Sequence, residues 1–202
     1  SRSRCNHRSQ RYRRHRRVSP YPYSTRGIST CTNARRRKSR GSAPVLQKGV
    51  PMDFEIIELS LAEFEKCGNI WNMKQQEKLA NQFYGELISS NRVTYVCKQD
   101  NEFIGEISLV FDTNDSDYTI DKQRVYVSHL IVKPEKRRNG IGKRLVEYAT
   151  NKAKEMGYSE MSIGVDLDNY SALKLYADSG FDKILFIGED HQGKYVKLLK
   201  EI

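Results

Sequence analysis

The stretch RRNGIGK, residues 137–143, contains two glycines separated by one residue and lies within a cluster of positive charge. The cationic side chains in or beside it are Lys136, Arg137, Arg138 and Lys143. A strand pattern, RVYVSHLIV at 124–132, precedes it, and an amphipathic helical pattern follows at 141–156. A helix N-terminus offers unpaired N–H groups and partial positive charge, and glycine lets an anion approach the backbone. The stretch is therefore a candidate phosphate site, with a basic helix-capping turn as the alternative.

The spacing of the glycines excludes two common nucleotide motifs. A Walker loop needs GxxxxGK followed by Ser or Thr, which the sequence lacks. A dinucleotide fingerprint needs GxGxxG, but Gly142 is followed by Lys, Arg and Leu rather than by a third glycine at that spacing. The pattern that remains is R-x-x-G-x-G, from Arg137 to Gly142.

A second pattern lies downstream in NYSALKLYADSGF, residues 169–181. Its fixed positions in N-x-x-A-x-x-x-Y-x-x-x-G-F are Asn169, Ala172, Tyr176, Gly180 and Phe181. With R-x-x-G-x-G and the strand LIVKP before it, this pattern resembles the GNAT (GCN5-related N-acetyltransferase) superfamily over roughly residues 53–202. The resemblance implies an α/β (α+β) GNAT fold, in which a mixed central sheet of about seven strands is flanked by about four helices. It also implies a splayed parallel strand pair, here 124–132 and 161–166, that holds the cofactor.

Acetyl-CoA is the cosubstrate that the resemblance implies. Its pantetheine arm is expected to pair with the backbone of Leu130, Ile131 and Val132. The positions implied for the pyrophosphate are Arg137, Arg138, Asn139, Gly140, Ile141, Gly142 and Lys143. Asn169 is expected to hydrogen-bond the cofactor. The cysteines and histidines show no metal-ligand spacing, so no metal is predicted.

The implied reaction is acyl transfer from a thioester to a primary amine. An amine with a pKa near that of lysine, about 10.4, is mostly protonated at neutral pH and must lose a proton before it attacks. Tyr176 resembles the family's general acid, which protonates the leaving thiolate, and backbone N–H groups at 131–132 could stabilise the oxyanion. The alternative for Tyr176 is an ordinary aromatic residue packed against the sheet.

The general base is where the sequence departs from better-known subfamilies. Ribosomal-protein N-terminal acetyltransferases carry a Glu five residues before the motif Asn, a position that is Gly164 here. Glu106, in the strand GEISLV, is the candidate base, with His129, Asp166 or a water chain as alternatives. The alternative for Glu106 is a side chain that faces solvent from the strand and has no catalytic role. The alternative for His129 is a side chain whose hydrogen bonds serve only the structure.

Charge divides the 202 residues into two parts. Residues 1–51 contain 13 Arg, 2 Lys and no acidic residue, so they carry a net charge of 13 + 2 = +15. Because the net charge of the whole chain is +10, the remaining residues carry 10 − 15 = −5. We predict a disordered Arg-rich tail at 1–51, suspected to be non-native with Met52 as the natural start, and a GNAT acetyltransferase domain at 52–202. If native, the tail would bind polyanions such as nucleic acid, and its Arg- and Ser-rich composition also fits an organelle transit peptide.

The acceptor can be inferred only from charge. The carboxylates that suggest an acidic rim are Asp112, Asp115, Asp117, Asp121, Asp166, Asp168, Glu189 and Asp190. Such a rim would attract a cationic amine on a small molecule or a protein, and a solvated acidic surface is the alternative. Competing functions are a non-catalytic CoA sensor and a polyanion-binding protein that acts through its tail. With no apolar run of about 18 residues and no paired cysteine pattern, the prediction is a cytoplasmic protein without a membrane partner, with a homodimer left open.

Overall fold

The computed structural model describes residues 54–202. Its elements in chain order are β1 (Glu55–Glu58), a long 3-10 segment (Leu61–Asn69), α1 (Glu77–Ile88), β2 (Arg92–Gln99), β3 (Glu102–Val110), β4 (Arg124–Val132), a 3-10 turn (Pro134–Lys136), α2 (Ile141–Glu155), β5 (Glu160–Asp166), α3 (Tyr170–Asp178), β6 (Lys183–Asp190) and β7 (Gly193–Glu201). The predicted tail at 1–51 and the suspected start at Met52 lie outside the described residues.

A seven-stranded sheet in the order β1-β2-β3-β4-β5-β7-β6 forms the centre of the fold. Neighbouring strands are antiparallel, except that β4 and β5 run parallel. Three α-helices and the long 3-10 segment accompany the sheet. The predicted mixed sheet, helices and parallel pair are therefore confirmed. Within residues 54–202, no helix combines the length and apolar character that a membrane crossing requires.

Helix α2 covers one face of the sheet, as its sequence periodicity predicts. Its stripe of Ile141, Leu145, Ala149 and Ala153 is buried against alternate residues of β2, β3 and β4. Side chains on a strand alternate between its two faces, so one set of β2 residues faces α2 and the other faces away. The packing fixes the direction of α2, and its N-terminus consequently lies just beyond the end of β4.

The opposite face is covered by the long 3-10 segment and α1. Phe64, Trp71 and Phe83 form a second apolar cluster with Val96 and Phe103 of the sheet. The sequence predicts a helix over 61–72, whereas the structure has 3-10 geometry over Leu61–Asn69. Gly68 and Asn69, both poor helix formers, end this segment. The segment packs against the sheet with the tighter turns of a 3-10 helix instead of as a longer α-helix.

Strand patterns at 92–99 and 102–112 predict a hairpin across Asp100 and Asn101, and the structure has β2 and β3 joined by a turn at these two residues. Both residues have positive φ, 51° and 65°, as a two-residue type I′ turn requires. Asn and Asp tolerate this conformation better than other non-glycine residues. The turn sets the β2–β3 register, and β3 in turn positions β4.

Candidate active site

Strands β4 and β5 separate part-way along their length. Their parallel pairing runs from Arg124 opposite Glu160 to Val127 opposite Ile163. Beyond that point β4 continues against β3 and β5 continues against β7. One backbone edge of each strand is therefore left without its neighbour, and a cavity of about 200 Å³ opens between them.

A β-bulge in β4 lies at the mouth of this gap. Glu106 pairs with Ile131 and Ser108 pairs with Ser128, so His129 and Leu130 together oppose a single residue of β3. His129 has φ 54°, a left-handed conformation that is uncommon for a residue other than glycine. The bulge shifts the direction of the strand, and both of its residues line the cavity.

The cavity brings together residues from separate predicted motifs. Leu130 of β4, Asn169 and Tyr176 line it, as do the two alternative bases His129 and Asp166. Gly164, which replaces the Glu of other subfamilies, lies in the same wall. Gln76, Leu79 and Phe83, from α1 and the residue before it, and Gln192 from the β6–β7 turn complete this part of the lining. No sequence motif marks these last four residues, since only the tertiary fold brings them to the site.

Tyr176 lies on α3 and is 7% exposed. Its ring contacts Phe181 edge-on, with centroids 5.9 Å apart. Burial raises the pKa of the Tyr176 phenol, so the hydroxyl is protonated throughout the neutral range. Asn169 caps the same helix, because its Oδ1 accepts a hydrogen bond from the Ala172 N–H at 3.2 Å. Its amide nitrogen is the part of the side chain left to donate to a cofactor.

The predicted phosphate loop connects β4 to α2. Gly140 is the N-cap of α2 with φ 79°, and no side chain caps the helix. A Cβ at Gly142 would lie 3.3 Å from Leu175 Cδ2, so the glycine lets α2 approach α3 closely. The first-turn N–H groups of α2 are thus not covered by a capping side chain.

The basic side chains of this loop divide into two groups. Arg137 Nε donates to the Val132 carbonyl at 2.9 Å, and Asn139 Nδ2 donates to the Lys136 carbonyl at 3.2 Å. These side chains tie the loop to β4 and to itself. Arg138 is exposed, and Lys143 is 60% exposed and lies 3.8 Å from Glu147. Arg138 and Lys143 are therefore the two cations of the motif best placed to meet an anion.

Glu106 and His129 form a buried pair beside the cavity. His129 Nδ1 lies 2.6 Å from Glu106 Oε1, and the two side chains are 3% and 8% exposed for Glu106 and His129 respectively. The solvent-facing alternative for Glu106 is therefore wrong. Among the described residues, His129 Nε2 has no hydrogen-bond partner. Burial, and then the Glu106 carboxylate, raise the pKa of the nearby Cys67 thiol, which stays protonated at neutral pH.

Part of the predicted acidic rim is paired with a buried lysine. Lys197 is 5% exposed, and its Nζ lies 2.7 Å from Asp115 Oδ2 and 3.0 Å from Asp117 Oδ2. Asp112 Oδ1 accepts a hydrogen bond from the Asn114 N–H at 2.8 Å. Asp115 and Asp117 therefore balance a buried lysine. Both aspartates are half-buried and part of their charge is neutralised within the fold, so they contribute less to a rim that attracts cations.

A comparison with known protein families identifies the family of this chain. The profile of the Acetyltransferase (GNAT) family matches residues 55–181, well over half of the chain. The chain belongs to the GNAT family. Human N-acetyltransferase 8 is 39% identical to this GNAT chain over 90 residues, which are 44% of this chain and 38% of that protein. GCN5-related N-acetyltransferase 7, chloroplastic, from Arabidopsis thaliana is 38% identical over 64 residues, 32% of this chain and 23% of that protein. The chain spans less than two fifths of either relative.

Solved GNAT structures share the fold over most of their length. An acetyltransferase of the family from Elizabethkingia anophelis with acetyl-CoA bound is 19% identical, with a TM-score of 0.58, and the match covers 74% of this chain and 98% of that one. The aminoglycoside 6'-acetyltransferase type Ii is 19% identical, with a TM-score of 0.59 and coverage of 73% and 96%. At these identities the likeness shows the fold.

Proposed function

We propose that the protein is an acetyl-CoA-dependent N-acetyltransferase that acetylates a primary amine of a small cationic molecule or of a protein. The observation that carries the proposal is the gap between β4 and β5, which the buried Tyr176 lines and beyond which α2 begins without a side-chain cap. The solved relative with acetyl-CoA bound and the aminoglycoside acetyltransferase support the same cosubstrate and an amine acceptor.

The chain offers acetyl-CoA two separate binding surfaces. Where β4 has left β5, the backbone of Leu130, Ile131 and Val132 can pair with the pantetheine amides as an added strand would. At the end of β4, the first-turn N–H groups of α2 face an anion together with Arg138 and Lys143. Both surfaces belong to one β-loop-α unit, so a single bound molecule can use both.

The chemical step needs a base, an oxyanion site and an acid. The buried pair of Glu106 and His129 supplies the base, and the N–H groups at 131–132 lie where β4 has lost one neighbour and are proposed to stabilise the oxyanion. Tyr176 gives its proton to the departing sulfur. A phenol is protonated at neutral pH and burial raises the pKa of Tyr176 further, so the hydroxyl still carries that proton when the thiolate forms.

Thiol release from acetyl-CoA by the full chain, measured across a panel of polyamines, aminoglycosides and lysine peptides, tests the proposal. We expect turnover with at least one cationic amine and saturable CoA binding by calorimetry. The Tyr176→Phe variant should lose about 10²-fold or more in kcat and keep its CoA affinity, because the phenol acts only on the leaving group. Full-rate turnover by Tyr176→Phe at every pH would remove the acid assignment, and absence of CoA binding would refute the proposal as a whole.

The same assay separates the competing functions. A CoA sensor would bind CoA and release no thiol with any amine. A polyanion-binding protein would retain nucleic-acid affinity that depends on residues 1–51 and would not require CoA. Two relatives from Arabidopsis thaliana are named chloroplastic, which supports the transit-peptide interpretation against the cytoplasmic one. Imaging a fluorescent protein fused behind residues 1–60 in plant cells decides between them.

A further inference from the structure

We propose that His129 is the catalytic residue that removes the proton from the acceptor amine, and that Glu106 is a positioning residue that acts through it. The inference deepens the proposed function and rests on it. It also assigns separate roles to two residues that the sequence can only offer as alternative bases. Three features carry it: the tautomer of the imidazole, the clamping of its ring, and the difference in access between the two side chains.

The contact with Glu106 fixes which imidazole nitrogen can accept a proton. A glutamate carboxylate only accepts hydrogen bonds, so His129 Nδ1 carries the hydrogen in the 2.6 Å contact with Glu106 Oε1. Neutral imidazole then has its lone pair on Nε2. This atom has no hydrogen-bond partner among residues 54–202. A buried polar atom without a partner is uncommon in a folded protein, and a bound acceptor amine would give this one a partner.

Two aromatic side chains pack against the imidazole ring. Its centroid lies 4.7 Å from that of Trp71 and 4.9 Å from that of Phe83, both in edge-on geometry. The backbone at His129 is fixed by the bulge, with φ 54°. These contacts, with the bond from Nδ1 to Glu106, leave the ring little rotational freedom, so the position of Nε2 is fixed. A base that is held in this way needs no reorganisation before it accepts a proton.

Access distinguishes the two residues of the pair. Glu106 is 2% exposed, one of its oxygens is already bonded to His129, and it does not belong to the lining of the cavity. His129 lines that cavity together with Tyr176 and Asn169. Of the two residues, only His129 therefore borders the space that the amine would occupy, and in the proposal the Glu106 carboxylate bonded to it stabilises the imidazolium that forms. The negative charge of Glu106 compensates the positive charge of protonated His129 inside a poorly solvated site.

The proton balance of the reaction fits one such base. The ammonium group gives one proton to His129 Nε2, and the free amine attacks the thioester carbonyl to form a C–N bond. When the C–S bond breaks, Tyr176 gives its hydroxyl proton to the sulfur, and the second proton lost from the nitrogen returns to the tyrosine oxygen. The net reaction releases one proton, which His129 passes to solvent after the product leaves.

The decisive variant is His129→Gln, which keeps a polar side chain of similar length and removes the basic nitrogen. At neutral pH we expect kcat/KM for the best amine of the panel to fall by about 10²- to 10⁴-fold, with CoA affinity unchanged. Without a base, the reactive free amine must come from bulk solution. The deficit should then shrink by about tenfold for each unit that the pH rises towards the pKa of the amine, because the free-amine fraction rises by that factor.

Glu106→Gln is the second variant, because its amide oxygen can still accept from His129 Nδ1 while the charge is lost. We expect an intermediate loss of about tenfold that also shrinks at high pH, since only the stabilisation of the imidazolium is removed. His191→Gln, an exposed histidine in the β6–β7 turn, is the matched control and should keep full activity.

The possible outcomes separate the inference from the function on which it rests. If the wild-type chain shows no turnover with any amine, both the proposed function and the inference are refuted. An active wild type with His129→Gln at full rate overturns the inference and leaves the function standing. A loss in His129→Gln that is equal at every pH assigns the pair a structural role and also overturns the inference. If both variants fail to fold, the pair is structural and the inference is overturned as well.

Discussion

The basic residues of the phosphate loop are predicted to contribute differently to CoA binding, because they differ in what they already contact. Arg138 and Lys143 are exposed at the start of α2, whereas the side chain of Arg137 is tied to the Val132 carbonyl. We therefore expect Arg138→Ala and Lys143→Ala to weaken CoA binding with little effect on stability. Arg137→Ala should instead loosen the loop itself and lower both the melting temperature and the affinity.

The size of the effect follows from the contacts that each residue can make. A hydrogen bond to a charged group contributes about 1.5–3 kcal/mol, which corresponds to roughly 10- to 100-fold in the dissociation constant. Both side chains are exposed and screened by salt, so the lower end, about 10-fold per residue at physiological ionic strength, is expected. The weak contact between Lys143 and Glu147, at 3.8 Å, offsets little of this.

Calorimetric titration with two ligands tests the location as well as the size of the effect. CoA carries the pyrophosphate, and pantetheine lacks it, so the loss in Arg138→Ala should appear with CoA and vanish with pantetheine. Lys154→Ala is the matched control, because it removes the same charge from the last turn of the same helix. An equal loss with both ligands, or an equal loss in Lys154→Ala, would show that the anion is not held at the start of α2.

Further predictions concern stability, measured as the free energy of unfolding in urea. Lys197→Met removes the hydrogen bonds that a buried ammonium donates to the half-exposed Asp115 and Asp117 and should cost about 1.5–3 kcal/mol, and an unchanged midpoint would contradict the pairing. Burial raises the pKa of the Cys97 thiol to about 12. The unfolded thiol loses its proton at about 8.5, so Cys97 should lower stability by about 1.4 kcal/mol per pH unit between those values, and Cys97→Ala should remove this contribution while that of the buried Cys67 thiol remains. Gly105→Ala should cost about 1–3 kcal/mol, because its Cβ would lie 3.1 Å from the Ile131 carbonyl oxygen, while Gly85→Ala meets nothing within 4 Å and should be neutral or stabilising.

Local signals in the sequence predict much of the fold. The stripe from Ile141 to Ala153 predicts α2 because helical periodicity is a property of a single segment. Asp100 and Asn101 predict the β2–β3 turn because its positive φ angles favour those residue types. The 3-10 geometry of residues 61–69 is not predicted, since apolar spacing over so short a stretch suits either kind of helix.

The chemistry of the candidate site depends on contacts that no local pattern encodes. Glu106 and His129 lie 23 residues apart on different strands, and they meet only because a bulge changes the register between β3 and β4. Lys197 is 82 residues from Asp115, so the sequence shows an acidic loop without its counter-ion. Motif positions such as Asn169 and Tyr176 can be placed at the cavity from sequence, because their resemblance carries a known order of elements.

The bulge at His129 connects the cofactor surface to the proposed base. A residue other than glycine at positive φ costs about 1–3 kcal/mol, which the surrounding structure must offset. The bond to Glu106 and the contacts with Trp71 and Phe83 hold His129 in that conformation. The same bulge lies where β4 and β5 have separated, so both of its residues, His129 and Leu130, line one cavity. His129→Gly would relieve the strain and keep the gap, but it would leave the cavity without a base, so this variant should bind cosubstrate while losing acetyl transfer.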